Sequence, residues 1–310
     1  EPAFRAANDR TMADAALSNG RLLPFVRLDL EDSAAEEARR VLELGARGIK
    51  LHPRSQRFSL GDNRLDPVFA LSAEFGVPIL IHAGRGMPKI ADDLERLMST
   101  HEGAQLIIAH AGVADLERLT GHFSGRPGVV FDTSVFNLFD LIDLLGRVAP
   151  EQVVYASDYP YGQHPGSLHV VLSACATMGY SDDQTRAVVG GTALAMADGS
   201  LPAPTSAPGE RKLRYAAPLL RIHHYLAMAL PMLWLQIPDR IGVMGLALNT
   251  CQTDGPHKEL LERVAENLAC GHALWDLAEE TEDETESFRL RRTAMRILHL
   301  ADVNVLAAGE

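Results

Sequence analysis

Pro78–Gly84 reads PILIHAG, and the same design returns as LIIAHAG at Leu106–Gly112. Each is a short aliphatic run that ends on His, a small residue and Gly. Such a run predicts a parallel strand covered on both faces, with the polar residues at its C-terminal end facing a mouth rather than a core. His82 and His110 stand in that mouth. Working outward, GIKLHP (Gly48–Pro53), GVVFDTS (Gly128–Ser134) and VVYASDYP (Val153–Pro160) also run from aliphatics into polar residues. The strand ends therefore present Lys50 or His52, His82, His110, Asp132 or Ser134, and Asp158. Parallel strands spaced by roughly 20 to 30 residues, each gap holding a helical pattern, predict a (β/α) barrel with its site at the C-terminal face.

The gaps carry that pattern. Helices are expected over Phe4–Ser18, closed by Asn19-Gly20, and over Ala34–Leu44, capped by Asp32-Ser33 and ended by Gly45. Pro67–Phe75, Ile90–Thr100, Asp115–Phe123, Leu138–Val148, Ser167–Met178 and Ser181–Val189 follow with the same periodicity. Arg21–Leu30 has the length and flanks of a further strand despite Pro24. Strands beginning at Leu22, Gly48, Ile79, Leu106, Val129 and Val153 make six, where a closed barrel of this type needs about eight. The first residue is Glu1 rather than Met. The expectation is a barrel lacking strands 1 and 2 in this chain.

Residues 200–211 are rich in Pro, Ser and Ala without apolar periodicity and predict a linker. Beyond it, Lys212–Leu230, Asp239–Asn249, Pro256–Glu280 and Glu284–Leu306 each show helical spacing, with Pro231, Pro238 and Gly255-Pro256 as punctuation. Residues 212–310 are expected to form an all-helical module. Leu219–Ile237 is strongly apolar, but Arg221, His223, His224, Gln236 and Pro231 interrupt it, which disfavours a bilayer span. A buried or subunit-facing helix is expected instead, with a homo-oligomer formed through this module.

The balance of 29 Lys and Arg against 41 Asp and Glu gives a net charge of −12. A phosphate backbone would be repelled, so no nucleic acid is expected as partner. No charge-free run long enough for a membrane span appears, and the N-terminus shows no signal pattern. Cys175, Cys251 and Cys270 form no CxxC pair and no even disulfide framework, which suits a reducing compartment; the cytoplasm is expected.

Two imidazoles and a carboxylate converging at strand ends are ligands for a borderline divalent metal, which lowers the pKa of bound water. Single histidines after apolar runs are commonly structural. The repetition of the feature at three strand ends favours the functional reading for His82, His110 and Asp158. His52, Arg85 and Tyr161 either orient a substrate carboxylate or lie in loops. Lys50 ranks lower, on the expectation that alternation along GIKLHP turns it away from His52. Asp132 and Ser134 are candidates to hold a neighbouring imidazole in place. His223-His224 and Cys270-Gly271-His272 do not qualify, because adjacent helical residues point about 100° apart.

In order and spacing, GIKLHP, PILIHAG, LIIAHAG, VVFDTS, YASDYP and the closing GGTALAMADG resemble the amidohydrolase-related family of metal-dependent (β/α)8 enzymes, in the branch of aminocarboxymuconate-semialdehyde decarboxylase-like proteins. The resemblance covers residues 1–199. It implies an N-terminally incomplete amidohydrolase-like barrel, with His82 and Asp158 as metal ligands and His110 as the acid/base or carbonyl-polarising group. It also implies an H-x-H pair of further ligands on the first strand, and no H-x-H occurs in this sequence. The expected activity is hydrolysis of a small-molecule substrate by metal-activated water, most readily with Zn²⁺. Asp158 would take the proton and His110 would polarise the scissile group. Non-oxidative decarboxylation of a small unsaturated or aromatic acid uses the same residues and is the rival. A non-catalytic truncated barrel with a helical association module is the third reading.

Overall fold

The computed structural model describes residues 4–31, 33–134, 137–159, 161–162, 164–201, 203–210, 215–235, 237 and 240–308. The chain divides into two compact units, Glu1–Arg211 and Lys212–Glu310. In the first, strands and helices alternate. The order is α1 (Arg5–Leu17), β1 (Phe25–Arg27), α2 (Ala34–Glu43), β2 (Gly48–Leu51), α3 (Pro53–Gln56), α4 (Asp66–Phe75), β3 (Pro78–Ile81) and α5 (Ala91–Thr100). It continues through β4 (Gln105–Ile108), α6 (Leu116–Phe123), β5 (Val129–Asp132), α7 (Leu138–Leu145), β6 (Val153–Val154), α8 (His164–Thr177), α9 (Asp182–Arg186) and α10 (Thr192–Ala197).

The six strands form one parallel sheet whose neighbours follow chain order, β1 to β6. That order places every crossover helix on the same side of the sheet, the arrangement of a (β/α) barrel. The register aligns Lys50 with Leu80, Leu80 with Ile107, and Ile107 with Val130. Ile107, Val130 and Val154 cluster there, with Leu80 and Phe25 packed against them. A side chain of the first strand thus meets side chains of the last three, which requires the sheet to curl. Its other face buries Ile49, Leu51, Ile79, Ile81, Leu106 and Phe131.

β1 begins at Phe25 rather than Leu22. Leu22 and Leu23 are exposed, and Pro24, which has no N–H to give a ladder, precedes the first paired residue. The expected helix over Ser181–Val189 is α9 continued by a π-turn, Ala187–Gly191, which carries the chain through Gly190-Gly191 into α10. Asp32, expected as a helix cap with Ser33, lies outside the described residues. The Pro- and Ser-rich stretch after α10 is fastened to the barrel. Leu201 packs on the inner cluster, Ser206 Oγ donates to Glu151, and the Gly209 N–H bonds the Leu145 carbonyl at 2.8 Å.

Two buried side chains fix the layers. Asp115 Oδ2 accepts the free N–H groups of Ile90 and Ala91 at 3.1 and 3.0 Å, capping α5 from a distant segment. Gln152 bridges the turn before β5. It accepts from the Gly125 N–H and donates to the carbonyls of Phe123, Arg126 and Val129.

The second unit holds α11 (Ala217–Trp234), α12 (Arg240–Thr250), α13 (Lys258–Glu280) and α14 (Glu284–Ala307). The expected start at Lys212, with Pro238 and Asp239, lies outside the described residues. Pro231 does not end its helix: α11 runs on to Trp234, and the Pro231 carbonyl still accepts the Leu235 N–H at 2.9 Å. A proline removes one donor but leaves its own acceptor intact, so one turn beyond it is tolerated. Among the described residues no helix is long and apolar enough to cross a membrane.

Candidate active site

Residues two apart along a strand share a face, so His52 and His82 follow Lys50 and Leu80 on the inner side of the sheet. The same parity corrects the expectation for Lys50, which faces the mouth together with His52 rather than away from it. His52 sits at the N-cap of α3, where its Nδ1 accepts the Ser55 N–H at 3.3 Å. Its ring stacks on that of His82, with centroids 3.8 Å apart and 14° between planes.

His82 Nδ1 lies 2.9 Å from His110 Nε2. His110 Nδ1 lies 2.8 Å from the Ser134 carbonyl oxygen and 2.9 Å from Ser134 Oγ. A carbonyl only accepts, so the proton of neutral His110 belongs on Nδ1 and its Nε2 carries the lone pair. It follows that His82 donates from Nδ1, and its own lone pair is on Nε2. His82 Nε2 is 3.5 Å from the Arg85 carbonyl, a distance too long to compete with the shorter contact.

Asp132 and Ser134 hold this arrangement. Asp132 Oδ1 accepts three hydrogen bonds, from the His110 N–H (2.8 Å), the Ser134 N–H (2.9 Å) and Ser134 Oγ (2.6 Å). The backbone turns sharply here, with φ of 58°, 54° and 67° at His110, Ala111 and Gly112. Left-handed geometry at two non-glycine residues is costly and is retained where surrounding bonds impose it. Gly84 is the close-approach point: a Cβ there would lie 2.7 Å from His110 Cδ2 and 3.2 Å from His82 Cε1. The Gly that ends PILIHAG is thus what lets the imidazole pair meet.

Asp158 also adopts a left-handed conformation, φ 53°, and its carbonyl accepts the N–H groups of Tyr161 and Gly162 in the following turn. The residue as a whole is exposed, yet desolvation raises its carboxyl pKa, helped by Asp132 and opposed by His110 and Lys50. Burial drives His82 down to about 3, with His110, His52 and Lys50 adding to the effect. His52 falls to about 4, again mainly through burial, with Lys50 and His110 next. Both imidazoles are neutral at physiological pH. Lys50 is lowered by burial and supported by Asp132 and Asp158.

Of the residues singled out in the sequence, His82 touches both His52 and His110, and Asp158 and Lys50 lie within electrostatic reach of the imidazoles. Tyr161 is 80% exposed and meets Asp158 through its backbone. Arg85 reaches His82 through its carbonyl. The part played by the Ser134 carbonyl and by Gly84 was missed. A backbone acceptor leaves no mark on a sequence, although the Gly repeated after each His-Ala pair was visible.

The profile of the Amidohydro_2 amidohydrolases matches residues 1–196. The chain belongs to this amidohydrolase family. Among solved structures, it is similar to an uncharacterized TIM-barrel protein from Bordetella bronchiseptica, with 18% identity, TM-score 0.50, and coverage of 62% of this chain and 73% of that one. A protein described as amidohydrolase II is similar at 19% identity and TM-score 0.51, covering 63% of this chain and 76% of the other. These likenesses establish the barrel fold. No curated protein matches the chain.

Metal binding in such a barrel needs an unprotonated imidazole nitrogen and a carboxylate. His82 Nε2 and the Asp158 carboxylate, which accepts no hydrogen bond among the described residues, have that donor chemistry. Among the described residues no group of three or more His, Cys, Asp or Glu side chains is placed to hold a metal ion.

Proposed function

We propose that this amidohydrolase-family barrel is a metal-dependent hydrolase of small molecules, in the aminocarboxymuconate-semialdehyde decarboxylase-like branch. The observation that carries the reading is the hydrogen-bonded His82–His110 pair, fixed in one protonation pattern by Ser134 and Asp132. His82 Nε2 and Asp158 would hold a divalent ion, most readily Zn²⁺, which when bound supplies Lewis-acid polarisation and a water of near-neutral pKa. The chain's own residues do the rest. Asp158, its carboxyl raised by desolvation, takes the proton of the attacking water. His110, anchored through Nδ1, would polarise the scissile group once a proton on Nε2 replaces its bond to His82, and Asp158 hands the proton of the water on to the leaving atom. Asp132 does not touch the reaction; it holds His110 and Ser134 through one oxygen.

A second reading has an observation of its own. On the inner face beneath the imidazoles Leu80, Ile107 and Val130 form an apolar row beyond Lys50, and low polarity there favours loss of CO2 from a carboxylate. Non-oxidative decarboxylation of a small unsaturated or aromatic acid would use the same His110 to protonate the carbon. Assaying lactones, amides and aromatic acids with and without added Zn²⁺ separates the two. Turnover that needs metal and falls by about a hundredfold or more in His110→Ala supports the site assignment. Full activity in His110→Ala removes it.

A further inference from the structure

A groove runs between α11 and α14 in the helical unit. His223 Nδ1 on α11 lies 2.8 Å from Asp302 Oδ1 on α14. From that contact the shared face runs forward along α11 to Trp234 and back along α14 to Arg292, so the two helices are antiparallel. The groove encloses about 570 Å³, inside the range of roughly 300 to 1,000 Å³ usual for small-ligand sites. Its walls are apolar, with Leu230, Pro231 and Trp234 on one helix and Met295 on the other. The Trp234 side chain is left 56% exposed there.

The charges of the groove are sorted by end. Arg292 and Arg296 stand one helical turn apart at the Trp234 end, and both are exposed. Among the described residues neither guanidinium has a hydrogen-bond or ion-pair partner, and Arg292 makes only a ring contact, 5.7 Å from Phe288. The other two arginines of α14 are engaged, Arg289 by Glu286 at 3.0 Å and Arg291 over the Trp275 ring. The carboxylate of the groove, Asp302, lies about 15 Å along the helix from Arg292 and already accepts from His223. His299 stands between the two ends.

We propose that this groove binds an anionic amphiphile, an acyl chain with one anionic head, the head between Arg292 and Arg296 and the chain along Leu230, Pro231 and Met295 towards His299. Two guanidinium forks match the paired oxygens of a carboxylate or phosphate. Apolar lining repeats over two turns of α11, from Ala227 to Trp234, which suits an elongated body. Asp302 at the far end repels a head group there, so the ligand enters in one orientation. The site does not rest on the barrel's reaction.

Tryptophan emission tests this directly. The 2 tryptophans of the chain are Trp234 and Trp275, and Trp275 is buried, so a spectral change reports the groove and not the barrel. The full chain is titrated with octanoate, octyl phosphate, neutral octanamide and acetate, each below its micelle concentration. At least one of the two octyl anions is expected to shift the emission at millimolar concentration or better, about tenfold or more tightly than octanamide, with acetate inert. A tighter octanoate identifies a fatty-acid head, and a tighter octyl phosphate a phosphate head. The double variant Arg292→Gln, Arg296→Gln should bind the anions no better than octanamide, and Arg292→Lys with Arg296→Lys should recover part of the preference. Thermal melts check that both variants are folded. Equal anion affinity in wild type and the Gln variant overturns the proposal, as does calorimetric binding that leaves the emission unchanged. A particle mass that doubles with concentration in light scattering, with no response to any octyl ligand, gives the groove to a second copy of the chain and overturns it too.

Discussion

The ring of His52 lies flat against the ring of His82, 3.8 Å from centroid to centroid. Stacking removes water from one face of each imidazole, and the strand beneath removes it from the edge, so neither ring gains by accepting a proton. The cap bond from Ser55 to His52 Nδ1 holds the upper ring where it is.

The pH dependence of stability follows from those rings. Both start from an ordinary value of 6.5 and are lowered on folding, to about 4 for His52 and about 3 for His82. Between those limits the unfolded chain binds more protons than the folded one, so stability rises with pH and is lost as pH falls from 6.5 towards 3. The raised carboxyl of Asp158 works in the opposite sense and offsets a part. Thermal melts of chelator-treated protein should drop across this window, with a shallower slope in His82→Gln. An unchanged slope in that variant contradicts the assignment.

Metal content is expected to depend on His82 and Asp158. Elemental analysis of protein loaded with Zn²⁺ and dialysed should show a deficit in His82→Ala and in Asp158→Ala relative to wild type. His110→Ala should keep its metal, because the His110 Nδ1 is bonded to Ser134 and its Nε2 faces His82. Loss of metal in His110→Ala would make that residue a ligand.

Gly84→Ala should damage activity more than stability. The added methyl would press on His110 Cδ2 at 2.7 Å, and that ring is pinned from behind by Ser134. Relief requires the His82–His110 contact to open. A loss of about tenfold or more in kcat/KM is expected, with about 1 kcal/mol of stability, the scale of mild overpacking. Wild-type kinetics in Gly84→Ala would show that the pair has room to spare.

Gln152→Leu is expected to cost stability by about 2 kcal/mol or more, since it strands the buried carbonyls of Phe123 and Val129 and removes the acceptor of the Gly125 N–H. Urea denaturation gives the value directly. The turn it braces leads into β5, which ends on Asp132, so a fall in kcat without a change in metal content should accompany it.

Much of the barrel unit was legible because buried parallel strands declare themselves as aliphatic runs, and PILIHAG and LIIAHAG end on the two histidines that meet. What escaped had other causes. Lys50 was set aside through a parity slip: positions 50 and 52 differ by two and share a face. α10 was hidden because Gly190-Gly191 reads as a break, while the π-turn through Ala187–Gly191 keeps the helix going. Pro231 reads as a stop, yet near a helix end its missing donor is a small loss. The proton pattern of the imidazole pair depends on the Ser134 carbonyl, and main-chain acceptors are the same in every residue.

The hairpin of α13 and α14 has a consequence in time. Thr281–Asp283 joins the two helices, Asp283 caps the second through the N–H groups of Thr285 and Glu286, and Ser287 Oγ reaches back to the Ala278 carbonyl. Partners so near in sequence meet on the scale of microseconds to milliseconds, whereas each strand of the parallel sheet must wait for an intervening helix before it can pair. Refolding from urea should therefore resolve into a fast helical phase and a slower one, followed by far-ultraviolet dichroism in a stopped-flow cell. On the ribosome the order of synthesis evens this out, because the segment that needs longest emerges first.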